Sequence, residues 1–480
     1  MPTILGANTL SGYDVDNSLR LNSGDSPYMH KVKSSNDEVS TATFSAWVKR
    51  SKLGATQRIV SHMTSGFADY FYFRFNSGDT FEFAFKGSTN NIIWTTNRVF
   101  QDVSAWYHIV ARVDTTDGTA GNRVRIYVNG VQETSFSAST NPDQNETFSI
   151  GTTSDPIVVG GLYGSGYGIS SGSTSEHFGG YIAELVVCEG QSLGPTSFGE
   201  FDEDTPNVWK PKDVSGLTFG TNGFYLDFED SSNLGNDANG GTDFTETSLA
   251  ATDQSTDTCT NNFATLNPIY HYIDGATLSE GNLKFTTSGN SSKGRAISTI
   301  RPESGKWYIE FKVIDSTRFQ CGVMNGNETN SAQGGSDANS AIFGYGGDFY
   351  FNGSLYEAYT SDLSDNDIVQ LALDLDNDLF WFGVNDTWGN SATRTEIENG
   401  TATNSGSTDI GSQVPVNTGA IGIFLEDNSG TGNNVAEINF GSPSFSISSG
   451  NSDANGYGNF EYAVPSGFYA LNSKNLAEFG

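Results

Sequence analysis

Apolar and polar residues alternate with a period of two along most of this chain. Phe81, Phe83 and Phe85 fall on one side of a run whose other side is Glu82, Ala84 and Lys86, the pattern of a half-buried antiparallel strand. Val124, Ile126 and Val128 repeat it, and the Asn129-Gly130 that follows tolerates the positive φ of a tight hairpin, with Val131 starting the return. Further along, Trp307, Ile309, Phe311 and Val313 alternate with Tyr308, Glu310 and Lys312, and Val369, Leu371, Leu373 and Leu375 do the same. No apolar stripe at helical spacing persists for three turns, so the pattern predicts few and short helices. The class that follows is all-β, with antiparallel sheets packed as sandwiches.

The alternation fades between 206 and 267, where the chain turns polar and rich in Gly and Asp. This divides the sequence into a β-sandwich over 1–205, a connector with short strands over 206–267, pairing on its own near 223–228, and a second β-sandwich over 268–480. A length of 480 residues agrees, since one core rarely serves more than about 300. Polar tracts at 165–175, 325–340, 398–413 and 451–459 read as long surface loops, where recognition residues concentrate.

Charge narrows the partners. With 56 Asp and Glu against 24 Lys and Arg, the formal net charge is −32, spread over the whole length, so nucleic acid and anionic membrane surfaces are repelled. Cys188, Cys259 and Cys321 stand far apart with no C-x-x-C spacing, which indicates neither a disulfide framework nor a thiolate zinc site. The first residues lack a basic stretch followed by an apolar one, and no run reaches the ~18 apolar residues of a membrane span, so synthesis in a cytoplasm without membrane insertion is expected.

Four segments of the first half, FSAWVKR (44–50), WYHIVARVD (106–114), VRIYVNGVQ (124–132) and FGGYIAELVV (178–187), resemble in order and spacing the laminin-G-like, concanavalin A-like jelly roll. In that light Trp47 and Trp106 read as inward core anchors, and Gly179-Gly180 as the sharp lead-in to the closing strand. In the second half, SGKWYIEFKV (304–313), CGV (321–323), DIVQLALDLDNDLFWFGVND (367–386) and EINFG (437–441) resemble a SPRY (B30.2-type) sandwich. Its flanks, TNNFATLNP (260–268) and GFYALNSKNL (467–476), are similar to those of SPRY-type domains in bacteriophage virion proteins. The resemblance implies two tandem concanavalin A-like sandwiches in a virion structural protein, a tail fibre or external surface appendage that binds a host-surface glycan or protein. Other virion proteins are its implied partners, and a homo-oligomer its implied state in the particle. Capsid decoration or a tail adaptor is the architectural alternative. A glycan depolymerase is the enzymatic one, against which stands the lack of β-helix repeats and of a hydrolytic motif.

Searching for chemistry finds little. G-x-S-x-G occurs at 168–172, centred on Ser170, but in a Gly/Ser tract with no helix to follow, and His30, His62, His108, His177 and His271 carry no triad spacing. Asp374, Asp376 and Asp378 open like a calcium loop, yet Leu379 and Asn385 stand where Gly and Glu are required, so a turn is expected. Asp14 and Asp16 could join a rim cation site only with ligands the sequence does not supply. No catalytic residue, metal ligand or cofactor is therefore expected. Trp388 in NDTWGN and Tyr345 in FGYGGD, aromatic rings in polar loops, are the candidate binding residues.

Overall fold

A computed structural model describes residues 12–36, 38–64, 68–162, 176–269, 275–287, 294–325, 339–351, 354–356, 360–401, 419–427 and 434–480. The G-x-S-x-G stretch, His271 and the loop tracts 165–175, 326–338 and 402–413 lie outside them. The fold is all-β and almost wholly antiparallel, of the concanavalin A-like jelly-roll class, and it divides into two compact units, Leu10–Thr260 and one containing Asn261–Gly480.

Two eight-stranded sheets form the first unit. One runs Val131–Gln132, Val124–Val128, Trp106–Asp114, Thr41–Arg50, Gly180–Glu189, Ser18–Leu21 and Gln254–Ser255, with Phe224–Leu226 also paired to Gly180–Glu189. The other runs Phe136–Ser139, Asn91–Val99, Thr80–Lys86, Tyr70–Phe75, Gln57–Met63, Ile157–Val159, Tyr28–Lys31 and Thr245–Thr247. The alternation seen in sequence decides which side chains meet between them. Phe81, Phe83 and Phe85 reach across to Phe44, Ile109 and Ile126, all buried. Asn129 and Gly130 adopt φ of 48° and 77°, the left-handed pair of the hairpin turn that their sequence announces. Gly180 is obligatory because a Cβ there would sit 2.2 Å from the Lys49 carbonyl oxygen.

Two expectations change here. Trp47 and Trp106 are buried, but on the far side of the first sheet, where they cluster with Val15, Tyr181, Ala183 and Trp209. Their neighbours Phe44, Ala46, Val48 and Ile109 hold the inter-sheet core instead, as the two-residue period requires. The stretch read as a connector is built into this unit. Phe224–Leu226 pairs with Leu185–Val187, Thr245–Thr247 with Tyr28–His30, and Gln254–Ser255 with Ser18–Leu19. The sequence predicts pairing near 223–228, but with the connector itself rather than with Leu185–Val187; Thr245–Thr247 and Gln254–Ser255 are short polar strands at sheet edges, where few side chains need be apolar.

The second unit packs an eight-stranded sheet centred on Lys306–Asp315 and Ile368–Asp374 against a six-stranded sheet containing Gln320–Met324 and Gly422–Asp427. Trp307, Ile309, Phe311, Val369 and Leu371 from the first meet Val323, Phe343 and Leu425 from the second. The two flanks close this unit on itself. Phe263 bridges Asn472, and the Ala264 amide donates to the Leu471 carbonyl at 3.1 Å. Two short α-helices, Arg394–Asn399 and Ser473–Phe479, occur among the described residues.

Candidate functional site

The closing strand Gly180–Glu189 carries a defect that shapes the first unit's outer face. Ala183 pairs with Trp47 and Val186 with Ser45, so the three steps from Ala183 to Val186 oppose two on the neighbouring strand. This is a β-bulge, and Glu184 within it has φ of +48°. A left-handed glutamate is uncommon and costs about 1–3 kcal/mol. The bulge directs a carboxylate, from an otherwise apolar run, to the same side as Tyr225.

There the Tyr225 hydroxyl lies 2.9 Å from both Glu184 carboxyl oxygens, and the Tyr13 hydroxyl lies 3.1 Å from that of Tyr225. Tyr225 is 6% exposed and stacks nearly parallel on Phe219, with ring centres 6.1 Å apart and planes within 3°. Tyr13, Phe219 and Tyr225 line a cavity of about 340 Å³ together with Asp213, Ser215, Asp227, Glu229, Ala238 and Asn239. That volume falls in the range of small-ligand pockets. Burial is the main force on Glu184 and pushes its carboxyl up to about 8; hydrogen bonds from Tyr225 and Tyr13 oppose this, and Asp227 and Glu229 reinforce it. Burial and the Glu184 charge likewise raise both tyrosine hydroxyls. At neutral pH the site therefore presents a protonated buried carboxyl, two phenols and three rim carboxylates.

The residues expected from sequence to bind lie elsewhere. Trp388 is 8% exposed and packs with Tyr308, Leu379, Trp381 and Phe460. Asn385 and Asp386, at φ 49° and 64°, turn the chain tightly so that this ring folds back over Gly383 and away from solvent. Tyr345 is 43% exposed, with the Arg318 guanidinium 5.8 Å from its ring centre. The two residues belong to different sheets and form no common site.

Two of the aspartates that resemble a calcium loop are engaged by the start of the neighbouring strand Lys306–Asp315. Asp374 receives Lys306 at 2.8 Å, and Asp376 accepts the Gly305 amide at 2.8 Å. Asp14 and Asp16 are exposed, and no cluster of three metal-ligating side chains occurs among the described residues. His108 is stacked between Trp47 and Trp209, bonded to Ser45 and Trp209 at 2.9 Å, and burial holds its ring down to about 3. His62 and His177 each bond a backbone carbonyl.

Sequence reading passed over Glu184, Tyr225 and Tyr13. A signal existed in FGGYIAELVV, where one glutamate interrupts a buried strand. Its partners lie 41 residues on, in the stretch read as connector, and 171 residues back, ahead of the strand Ser18–Leu21, and only the fold joins them.

Residues 23–189 match the family model Laminin_G_3, described as the concanavalin A-like lectin/glucanases superfamily. Of the cavity residues and their support, that stretch includes Glu184 alone. Among solved structures, a Bacteroides ovatus protein described as a candidate carbohydrate binder is 17% identical, with a TM-score of 0.34 over 49% of this chain and 58% of its own. The chain thus spans less than two thirds of that protein's length. Mouse laminin α1 domains LG4-5 are 11% identical, with a TM-score of 0.31 over 98% of this chain and 91% of theirs. The SPRY domain of human HERC1 is 14% identical, with a TM-score of 0.25 over 34% of this chain and 91% of its own. No curated protein matches the chain.

Proposed function

We propose that this chain is a non-catalytic, glycan-binding protein carried on the outside of a bacteriophage particle, in a tail fibre or similar appendage. The observation that carries the binding half is the cavity at the Glu184 bulge, lined by aromatic residues together with carboxylates and an amide suited to hydroxyl groups, on a lectin-class sandwich.

Binding rather than hydrolysis is supported by the placement of the one strongly perturbed acid beside the cavity. The Glu184 carboxyl stands behind Tyr225, which occupies both of its oxygens, and it does not line the cavity. A general acid must reach the glycosidic oxygen. The virion half of the proposal rests on the phage-like flanks at 260–268 and 467–476, which in this fold are the paired edges of the second unit.

Two measurements test the reading. Purified protein is screened on a glycan array alongside Tyr225→Ala, and labelled antibody is applied to intact particles. Binding lost in the variant, with antibody decorating an appendage, is the expected result. No glycan bound, with label on the capsid or at a tail joint, would make the protein architectural. Shortened glycan products would make it a depolymerase.

A further inference from the structure

Lys31 ends the strand Tyr28–Lys31, and Asp237 lies in the segment that runs from Phe224–Leu226, on one sheet of the first unit, to Thr245–Thr247, on the other. The Lys31 Nζ stands 2.9 Å from Asp237 Oδ2, and the two side chains are 8% and 0% exposed. Lysine is among the residues least often buried. Here its Nζ is 4.8 and 4.7 Å from the ring centres of Phe224 and Phe244, both part of the inter-sheet core. Burial is the main force on the ammonium and pushes it down, against the opposing pull of Asp237 and Asp243. A desolvated lysine amine is a nucleophile.

The carboxyl it faces is arranged as an electrophile. Asp237 Oδ1 accepts the backbone N–H of Tyr225 at 3.1 Å and that of Asn239 at 3.3 Å, so both donors point at the oxygen that gains charge when a nucleophile adds to Cγ. Oδ2 faces the amine. A Cβ at Gly241 would lie 2.4 Å from Oδ2, so only glycine leaves room for that oxygen. Lys31 also donates to the Thr242 carbonyl at 3.2 Å, which aims its nitrogen. Asp237 is fixed through its backbone as well, its N–H donating to Asp243 at 3.1 Å and its carbonyl accepting the Gly240 amide at 2.7 Å. The pair Lys210 and Asp202 shows what desolvation adds. There too Oδ1 accepts two backbone amides and Oδ2 receives the lysine, at 3.1 Å. The Lys210 ammonium, however, is raised, first by its hydrogen bond to Asp202, and stays a charged partner.

We propose that Lys31 and Asp237 join in an intramolecular amide between Nζ and Cγ. The proton of the 2.9 Å hydrogen bond passes from Nζ to Oδ2, leaving an amine and a carboxylic acid. The nitrogen lone pair adds to Cγ, and the charge that develops on Oδ1 is held by the Tyr225 and Asn239 amides. A second proton moves from the nitrogen to Oδ2, the Cγ–Oδ2 bond breaks, and one water leaves. Fixed contact in a site shielded from solvent supplies the activation that a free amine and acid lack in water. The product ties the strand Tyr28–Lys31 to the segment between Phe224–Leu226 and Thr245–Thr247, and closes residues 31–237 into a covalent loop that unfolding cannot open.

The intact mass of the full chain, measured after denaturation and reduction, tests this. The parent should be lighter than its residues require by one water. Lys31→Arg, which keeps the positive charge without the amine nucleophile, should show the full mass. Digestion with trypsin and a glutamate-specific protease should release residues 21–33 joined to residues 230–246, uncut after Lys31. A parent of full mass that trypsin cuts after Lys31 would overturn the proposal and leave a buried ion pair. A missing water that survives in Lys31→Arg, or that maps to one unbranched peptide, would overturn it as well, since an aspartate closing on its own backbone loses the same mass.

Discussion

The Lys49 ammonium lies 2.7 Å from an Asp257 carboxylate oxygen, and each side chain is 1% exposed. Trp106 donates its ring N–H to the other oxygen at 3.1 Å, and the Ser18 hydroxyl donates to the Asp257 carbonyl at 2.7 Å. Residue 257 lies far beyond the segment that reads as the first sandwich in sequence, yet it is held at the centre of that sandwich's outer face. Removing one partner leaves an uncompensated buried charge. Lys49→Met or Asp257→Ala alone is expected to cost about 3–5 kcal/mol, and Lys49→Met with Asp257→Leu to recover part of it. Chemical denaturation of the three variants measures this.

The same pairing fixes where the first unit can be cut. A fragment covering 1–260 retains Phe224–Leu226, Thr245–Thr247 and Gln254–Ser255, whereas one ending at 210 strips strands from both sheets. The longer fragment should melt in one cooperative step and the shorter should not, as followed by circular dichroism. Equal cooperativity would show that the added strands are ornamental.

Substitutions in the second unit separate packing from display. Trp307→Ala and Trp388→Ala each remove a buried indole and should cost about 3–5 kcal/mol. Tyr345→Ala, at an exposed turn, should shift stability by about 0.5 kcal/mol or less. The midpoints of denaturant unfolding distinguish them.

Two buried glutamates set a pH slope. Glu184, held up to about 8 by burial, keeps its proton in the folded chain where the unfolded chain, near 4.5, has lost it. Its stabilising contribution is complete below 4.5 and disappears as pH rises to about 8. Glu310, raised by burial to about 7 and bonded to Tyr308 and the amides of Glu461 and Tyr462, does the same in the second unit between 4.5 and about 7. Glu184→Gln should flatten the fall in melting temperature of the first unit between mildly acidic and mildly alkaline buffer, and Glu310→Gln that of the second. An unchanged slope in calorimetry would show that neither carboxyl titrates there.

Cysteine chemistry should be silent. Burial pushes the Cys188 thiol up to about 12 and those of Cys259 and Cys321 well above their ordinary value, and all three are free. Reductant should leave the melting temperature unchanged, and alkylation in the folded state should be slow by mass spectrometry. A drop with EDTA would instead point to a cation near Asp14 and Asp16.

How much of this was legible in sequence depended on the length of each pattern. Long alternating strands such as Lys306–Asp315 and Ile368–Asp374 repeat their period enough times to fix both type and inward face. Asn129-Gly130 names its own turn. Trp47 shows the limit: size marks it as buried, but only the phase of Phe44, Ala46 and Val48 says against which layer. Trp388 was misleading because its polar neighbours Asn385 and Asp386 form a turn that tucks the ring inward. Glu184, Tyr225 and Tyr13 could not be assembled from sequence, since a bulge is a register shift between strands and register is a property of the folded sheet.

The bridge between Phe263 and Asn472 holds the two flanks of the second unit side by side. A module whose ends meet can be spliced into a surface turn of a host scaffold without stretching it, in the way insertions between adjacent anchor points are tolerated. The residues between this pair therefore constitute a transplantable cassette, and grafting them into an unrelated carrier requires two short joints that sit side by side.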